Sequence, residues 1–366
     1  MSVVVDKLKA HWRLLAATLL NYATYSTWTL LNKYQFLSPA HAHAIAAAGA
    51  DDGHGAHPHL GHGGDETPVV GPAPVGGYGV TVPIFVTGLQ MVLAGLWAAV
   101  AIFVFGVQRR PASQPGPPLW SWATFRDRIL PLGAARCVDI GGGNAALVFV
   151  SVAIQQVIKS LLPLFVSILS VTVLNKSVPL DTWLSLIPIV GGTVLATLGE
   201  GSATTFGVAL ALLSCFARSF KCVLNAKLLH IDAAPLWPME ILLLEAPSSG
   251  CLLLVISALL EGPRVVADAP HLLAALPLNF LGGLLMFFNQ ASYITVIDCS
   301  SAVTCQVLMN LKMLMLIVVS VHVFHTPLHS VNLVGIAISV AGCMLYAYVS
   351  GRPRKVVAVK PPEDLV

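Results

Sequence analysis

Two lysines sit where a lysine is costly. Lys159 lies inside the apolar run 157–174, and Lys312 lies inside an apolar stretch that begins near Ser301. A charge at bilayer depth is unfavourable by roughly 2.5–3.5 kcal/mol on insertion scales, so it needs a partner, a wet cavity or a route to the headgroups. An ammonium recognises phosphate as a mobile point charge, without the flat fork of an arginine. Two of them facing one cavity would suit a phosphorylated solute. The competing reading is snorkelling, in which each amine reaches the headgroups from near a helix end.

Other polar groups lie close to these lysines. Gln155 stands one turn before Lys159 and can share its face. Gln306 and Asn310 share a face in the same way, but Asn310 and Lys312 are two residues apart, about 200° around a helix. The two are therefore not expected to point straight into one cavity. Lys312 is assigned to the ligand, and Gln306 and Asn310 to partial lining or to bonds between helices. Arg218 and Lys221, one turn apart, offer a third basic element. Tyr25, Trp28, Asn289 and Tyr293 can stack on a base or hold a sugar, with ordinary packing as the competing role. Glu245 is a further candidate whose partner is not legible, and Asp139 is expected either to pair with Arg136 at i−3 or to act in transport. No HExxH, nucleophile elbow or paired catalytic carboxylates occur, so an enzyme is not expected, nor a cofactor, nor a metal site in the spans.

The elements that carry these residues must cross a membrane. Of 366 residues, 56% are hydrophobic and only 10% charged, and mean hydropathy is +0.80. A soluble domain has about a quarter of its residues charged. The formal net charge of +3 is small and its basic residues are not clustered, which excludes a nucleic-acid binder. The seven cysteines fall mostly in apolar runs without a CxxC, and are read as small core residues.

A spanning helix needs about 20 mostly apolar residues. Ten stretches qualify: 14–36, 80–106, 129–149, 152–174, 182–199, 205–228, 236–260, 272–296, 301–324 and 331–350. The first is read as a signal anchor, and no plastid or mitochondrial leader is expected before it. Lys7, Lys9, Arg13, Arg109, Arg110, Arg126, Arg128, Lys176, Lys227, Arg352, Arg354, Lys355 and Lys360 all fall on one side, with Arg264 opposite. The positive-inside rule then places both termini in the cytosol. Residues 38–79 are rich in His, Gly and Ala and cannot build a core, so they are expected to be a disordered luminal insertion. Its histidines suit metal capture, but the spans lack matching ligands.

A duplication shows in the same register. At an offset of 150 residues, Ser170 meets Ser320, Val190 meets Val340, Gly192 meets Gly342 and Leu195 meets Leu345. Ser26–Asn32 likewise echoes Ser219–Asn225. The expected fold is all-α and integral to the membrane: ten helices as two five-helix repeats, 1–200 and 201–350, followed by a cytosolic tail, 351–366. Five is odd, so the second repeat enters inverted, the architecture of many alternating-access transporters. Lys312 then falls opposite Leu162, close to Lys159.

The stretches TWTLLNKY (27–34), VPIFVTGLQM (82–91), 139–165 and TCQVLMNLKM (304–313) resemble the triose-phosphate translocator/nucleotide-sugar transporter family of the drug/metabolite transporter superfamily. The resemblance implies ten spans and strict exchange of a phosphorylated solute for phosphate or a nucleotide. Sugar-phosphate members carry Lys-Arg at the ninth-helix site, whereas here Lys312 is followed by Met313. The pattern is closer to the branch that moves nucleotide sugars. The expected function is antiport of a nucleotide sugar, a UDP-sugar, against a nucleoside monophosphate across the Golgi or endoplasmic reticulum membrane. A sugar-phosphate or phosphoenolpyruvate/phosphate exchanger is the alternative, and a metal-ion carrier ranks below both. The expected partners are the phosphorylated small molecule and the lipid bilayer, with oligomers allowed and nucleic acid excluded.

Overall fold

The structure is a computed structural model that describes residues 2–36, 82–108, 121–150, 155, 158–159, 161–175, 179–196, 204–232, 234–312 and 330–351. The insertion 38–79, His322, Met313 and the tail beyond residue 351 lie outside the described residues, as do Arg109, Arg110, Lys176 and the basic residues of the tail. Regular structure among the described residues is helical: α1 (Ser2–Phe36), α2 (Pro83–Phe103), α3 (Leu130–Phe149), α4 (Leu162–Leu174), α5 (Leu180–Ala196), α6 (Thr205–His230), α7 (Pro238–Leu260), α8 (Leu276–Cys299), α9 (302–312) and α10 (Ser330–Gly351). Of these, α2, α6, α7 and α8 are each long and apolar enough to cross a membrane.

Proline marks many of the starts. α2, α3, α4, α7 and α8 each carry it in the first turn, where its fixed φ fits the helix and its missing N–H loses no bond. α6 starts instead on Thr204, whose hydroxyl accepts from the Gly207 N–H at 3.2 Å. α4 stops at Asn175, which takes the left-handed conformation with φ 50° and ψ 30°. Two sequence expectations change. The stretch 152–174 is not one helix, since Leu161 is a turn and α4 begins only at Leu162. Residues 272–296 do not form one helix: Gly262–Ala267 and Ala269–Ala274 are short separate helices, and α8 begins only at Leu276. Pro263, Pro270 and Pro277 each lack the N–H that would continue the preceding turn.

The helices pack in pairs: α2 on α7, α5 on α10, α3 on α6 and α1 on α8. Two of these pairs are reciprocal. A Cβ added at Gly95 would overlap the ring of Pro247, and one added at Gly250 would lie 2.7 Å from the Val92 side chain. Both relations follow one offset of 155 residues, which carries Gly95 to Gly250 and Val92 to Pro247. Likewise a Cβ at Gly192 would overlap the backbone of Ser339, and one at Gly342 would lie 2.8 Å from the Ile189 nitrogen. Here the offset is 150 residues, the one read from the sequence.

Glycine is needed at these crossings because backbone occupies the space of a side chain. Gly192→Ala and Gly342→Ala are each expected to lower the thermal unfolding midpoint of the purified protein, since overpacking costs about 1–3 kcal/mol. Gly191→Ala, where nothing stands within 4 Å, should be neutral or slightly stabilising. Equal midpoints for Gly191→Ala and Gly192→Ala would contradict the close crossing.

Candidate functional site

A cavity of about 310 Å³ lies between α1, α3, α6, α8 and α9, with Gln155, Lys159 and Leu162 also in its wall. Its lining reaches Thr87 and Asn144, near the end of the bundle that holds Phe36 and Phe149.

α1 and α6 carry the same kind of face, of which Asn21, Tyr25 and Trp28 on one and Ser214, Arg218 and Lys221 on the other line this space. Asn21, Tyr25, Trp28 and Asn32 recur at helical spacing along α1, and Ser214, Arg218, Lys221 and Asn225 recur along α6 at a constant offset of 193 residues. Spacings of three and four residues put each set on one face. From α1, Asn21 donates to the Asn289 carbonyl at 2.9 Å and accepts from Lys312 Nζ at 2.9 Å. The Lys312 ammonium also stands 3.9 Å from the centre of the Tyr25 ring, a cation–π distance. Trp28 Nε1 donates to Gln90 Oε1 at 2.8 Å, and Gln90 Nε2 donates to Asn32 Oδ1 at 2.9 Å. From α6, Arg218 Nε donates to both oxygens of Asp139 at 3.0 Å, and Ser214 donates to the Asp139 carbonyl oxygen at 2.8 Å. Lys159 Nζ donates to Gln155 Oε1 at 3.0 Å, and Gln155 is itself held by donating to the Gly143 carbonyl at 2.6 Å.

The structure gathers most of the sequence candidates. Lys159, Lys312, Gln155, Gln306, Asn310, Tyr25, Trp28, Arg218, Lys221, Asn289 and Tyr293 all line the cavity. Glu245 does not line it. Its side chain is fully buried one step behind the wall, with Oε1 3.0 Å from Arg136 Nη1 and 3.0 Å from Lys221 Nζ. Gln290, with its amide oxygen turned to the guanidinium, also holds Arg136.

Two local expectations are corrected. Asp139 pairs with Arg218 on another helix and not with Arg136 at i−3, because α3 turns the two side chains toward different neighbours. Asn310 and Lys312 both line the cavity despite their angular separation, because the four-carbon stem of Lys312 swings its amine to Asn21. Gln306 does bond between helices, donating to the Tyr293 hydroxyl at 3.0 Å. Sequence reasoning missed Asn21, Ser214 and Gln290 as lining residues. The helical spacing from Asn21 to Tyr25 and from Ser214 to Arg218 was the signal that could have found the first two.

Within the wall, Arg136, Lys159, Arg218, Lys221 and Lys312 face Asp139, with Glu245 just behind. Five cations against two carboxylates leave an excess of three. Such a chamber favours an anion, and the Tyr25–Trp28 pair, with ring centres 6.2 Å apart, adds aromatic surface beside the cations.

The sequence matches the model of the Triose-phosphate Transporter family over residues 78–347. It is 34% identical over 228 residues to UDP-galactose transporter 1 of Arabidopsis thaliana, spanning 61% of this chain and 66% of that one. A GDP-mannose transporter of the same plant is also 34% identical over 228 residues, spanning 61% of this chain and 65% of that one. In both, the match spans less than two thirds of the relative's length. A probable sugar phosphate/phosphate translocator of Arabidopsis thaliana is 30% identical over 274 residues, spanning 74% of this chain and 86% of that one. One crystal structure superposes with a TM-score of 0.56 over 92% of this chain and 99% of its own, at 14% identity, a likeness that carries the fold alone. With its apolar helices around a polar, cationic chamber, the chain is a multi-pass membrane protein and belongs to the Triose-phosphate Transporter family, a family of transporters and not of enzymes.

Proposed function

We propose that the chain is a ten-span antiporter built from two inverted five-helix repeats, 1–200 and 201–350, that exchanges a UDP-sugar for a nucleoside monophosphate across the Golgi or endoplasmic reticulum membrane, with both termini cytosolic. The observation that carries this reading is that Lys159 and Lys312, one from each half, line the same chamber beside Tyr25 and Trp28. The reciprocal crossings of α2 on α7 and α5 on α10 support the repeats, since an offset that exchanges both partners of a contact is what a two-fold relation produces. Names of relatives that move UDP-galactose and GDP-mannose support the substrate class.

A nucleoside monophosphate carries about −1.5 to −2 charges near neutral pH, as other phosphate monoesters do. It therefore complements the excess of cations in the wall. The empty chamber resists closure, because sealing it would desolvate several cations without a counter-charge. Either ligand supplies that charge, so the empty carrier stalls and only loaded forms cross: exchange is obligatory. Under the proposed orientation, the cavity's reach toward Thr87 and Asn144 supports reading this conformation as the lumen-facing half of the cycle. The likeness to a sugar phosphate/phosphate translocator favours a second reading, exchange of a sugar phosphate for phosphate.

Thermal unfolding separates the two. A ligand at 100 times its Kd stabilises the native state by about 2.7 kcal/mol. Uridine monophosphate and UDP-sugars are expected to raise the midpoint of the wild-type protein and to lose most of that effect in Lys159→Ala. Stabilisation by inorganic phosphate and phosphoenolpyruvate, with none by uridine nucleotides, would establish the second reading instead.

A further inference from the structure

Glu245 is buried, touches two of the chamber's cations and has an uncharged counterpart. The offset of 155 residues that relates α2 to α7 carries Pro83 to Pro238, Gly95 to Gly250 and Gln90 to Glu245. The surroundings correspond as well. Gln90 accepts from Trp28 of α1 at 2.8 Å, and Glu245 accepts from Lys221 of α6 at 3.0 Å, where Trp28 and Lys221 are related by 193 residues. Gln90 lies 2.5 Å from where a Cβ of Gly282 in α8 would stand, and Glu245 lies 3.0 Å from Arg136 in α3, where Gly282 and Arg136 are related by 146 residues. Each half thus ties one helix of the α1–α8 pair or the α3–α6 pair to the α2–α7 spine through the same position. In one half the tie is a neutral amide between an indole and an asparagine. In the other it is a carboxylate between an ammonium and a guanidinium.

The charged tie is not needed for packing, since the neutral one does the same mechanical task. What it changes is the chamber, because Lys221 and Arg136 both line it while Glu245 stays behind them. We propose that Glu245 is a positioning residue that sets the charge the chamber presents: by clasping Arg136 and Lys221 it lowers the excess of cations from four to three, which weakens the chamber's preference for a more highly charged nucleotide over a dianion. A nucleotide sugar and a nucleoside monophosphate are both near dianions, whereas a free nucleoside diphosphate carries about one charge more. Glu245 therefore favours the two exchange partners over a free nucleoside diphosphate, relative to the same chamber without its carboxylate. This rests on the nucleotide reading of the chamber.

The test is competition against exchange of UDP-galactose in proteoliposomes holding the full chain, with uridine monophosphate and uridine diphosphate as the competitors. The ratio of the two inhibition constants does not depend on how much protein is folded. Glu245→Gln is expected to shift that ratio about tenfold toward the diphosphate, the size of one charge acting across roughly 10 Å at an effective dielectric near 20. Glu245→Asp should restore the wild-type ratio, and Lys221→Gln should move it the opposite way. A residue that only held helices together would weaken both competitors equally. The proposal is overturned if the ratio stays fixed in Glu245→Gln, or if Glu245→Gln and Lys221→Gln shift it in the same direction. Should neither nucleotide compete in the wild type, the nucleotide reading itself fails, which is a separate outcome.

Discussion

Replacing Lys312 by alanine is expected to lower UDP-sugar exchange by roughly two to three orders of magnitude in proteoliposomes. Removing one partner of a buried, hydrogen-bonded charge contact at a binding site costs about 2–5 kcal/mol, and each 1.4 kcal/mol is about tenfold in affinity. Lys312 meets the buried condition. It is 8% exposed, it donates to Asn21 Oδ1 at 2.9 Å, and its ammonium sits on the Tyr25 face. Its loss removes the ligand's counter-charge and also leaves the Asn21 oxygen without its donor. Lys159 is only partly buried and is bonded to Gln155, so Lys159→Ala should sit at the lower end of the range, nearer 30-fold. Lys312→Arg keeps the charge but not the compact head that fits between Asn21 and Tyr25, and should recover only part of the loss. Uptake within twofold of wild type in a folded Lys312→Ala protein would remove the lysine from the binding role.

The second large effect falls on stability. Arg136→Leu leaves Glu245, fully buried, with Lys221 as its one remaining cation at Oε1. Breaking a buried ion pair by removing one partner costs about 3–5 kcal/mol, because an under-compensated charge stays inside. The unfolding midpoint should fall by roughly 6–20 °C at about 2–4 °C per kcal/mol. Trp28→Phe makes the matching cut in the neutral tie. It removes a single uncharged hydrogen bond to Gln90, worth about 0.5–1.5 kcal/mol, and should shift the midpoint far less. Arg136→Leu combined with Glu245→Gln should regain part of the loss, since the amide no longer buries a negative charge. Equal midpoints for Arg136→Leu and wild type would show that Glu245 is compensated elsewhere.

Much of this arrangement was legible before any coordinates. Long apolar runs and their Pro-rich breaks placed α2, α3, α7 and α10 to within a few residues, because burial in lipid and the missing proline N–H act locally, whereas α4 begins at Leu162, ten residues after the expected start. The costly lysines pointed to a chamber for the same reason: an amine inside an apolar run needs a destination. The break before Leu276 was written in Pro263, Pro270 and Pro277, but an apolar count averages over such punctuation. The partners of the buried acids were not legible. Arg218 reaches Asp139 across 79 residues of sequence, and Arg136 reaches Glu245 across 109. Those separations are set by which helices pack together, whereas spacing along one helix offered only the nearer Arg136 to Asp139. The correspondence of Gln90 with Glu245 was hidden for a related reason. An amide and a carboxylate in unlike neighbourhoods do not look alike until the crossing glycines fix the offset.

The most direct measurement is uptake of labelled UDP-galactose by proteoliposomes of the purified full chain, loaded with uridine monophosphate, with inorganic phosphate, or with neither. Rapid uptake with the monophosphate inside and little with phosphate or empty vesicles is the predicted result. Equal uptake into empty vesicles, or uptake supported by phosphate and not by the monophosphate, would contradict nucleotide-sugar exchange through this chamber.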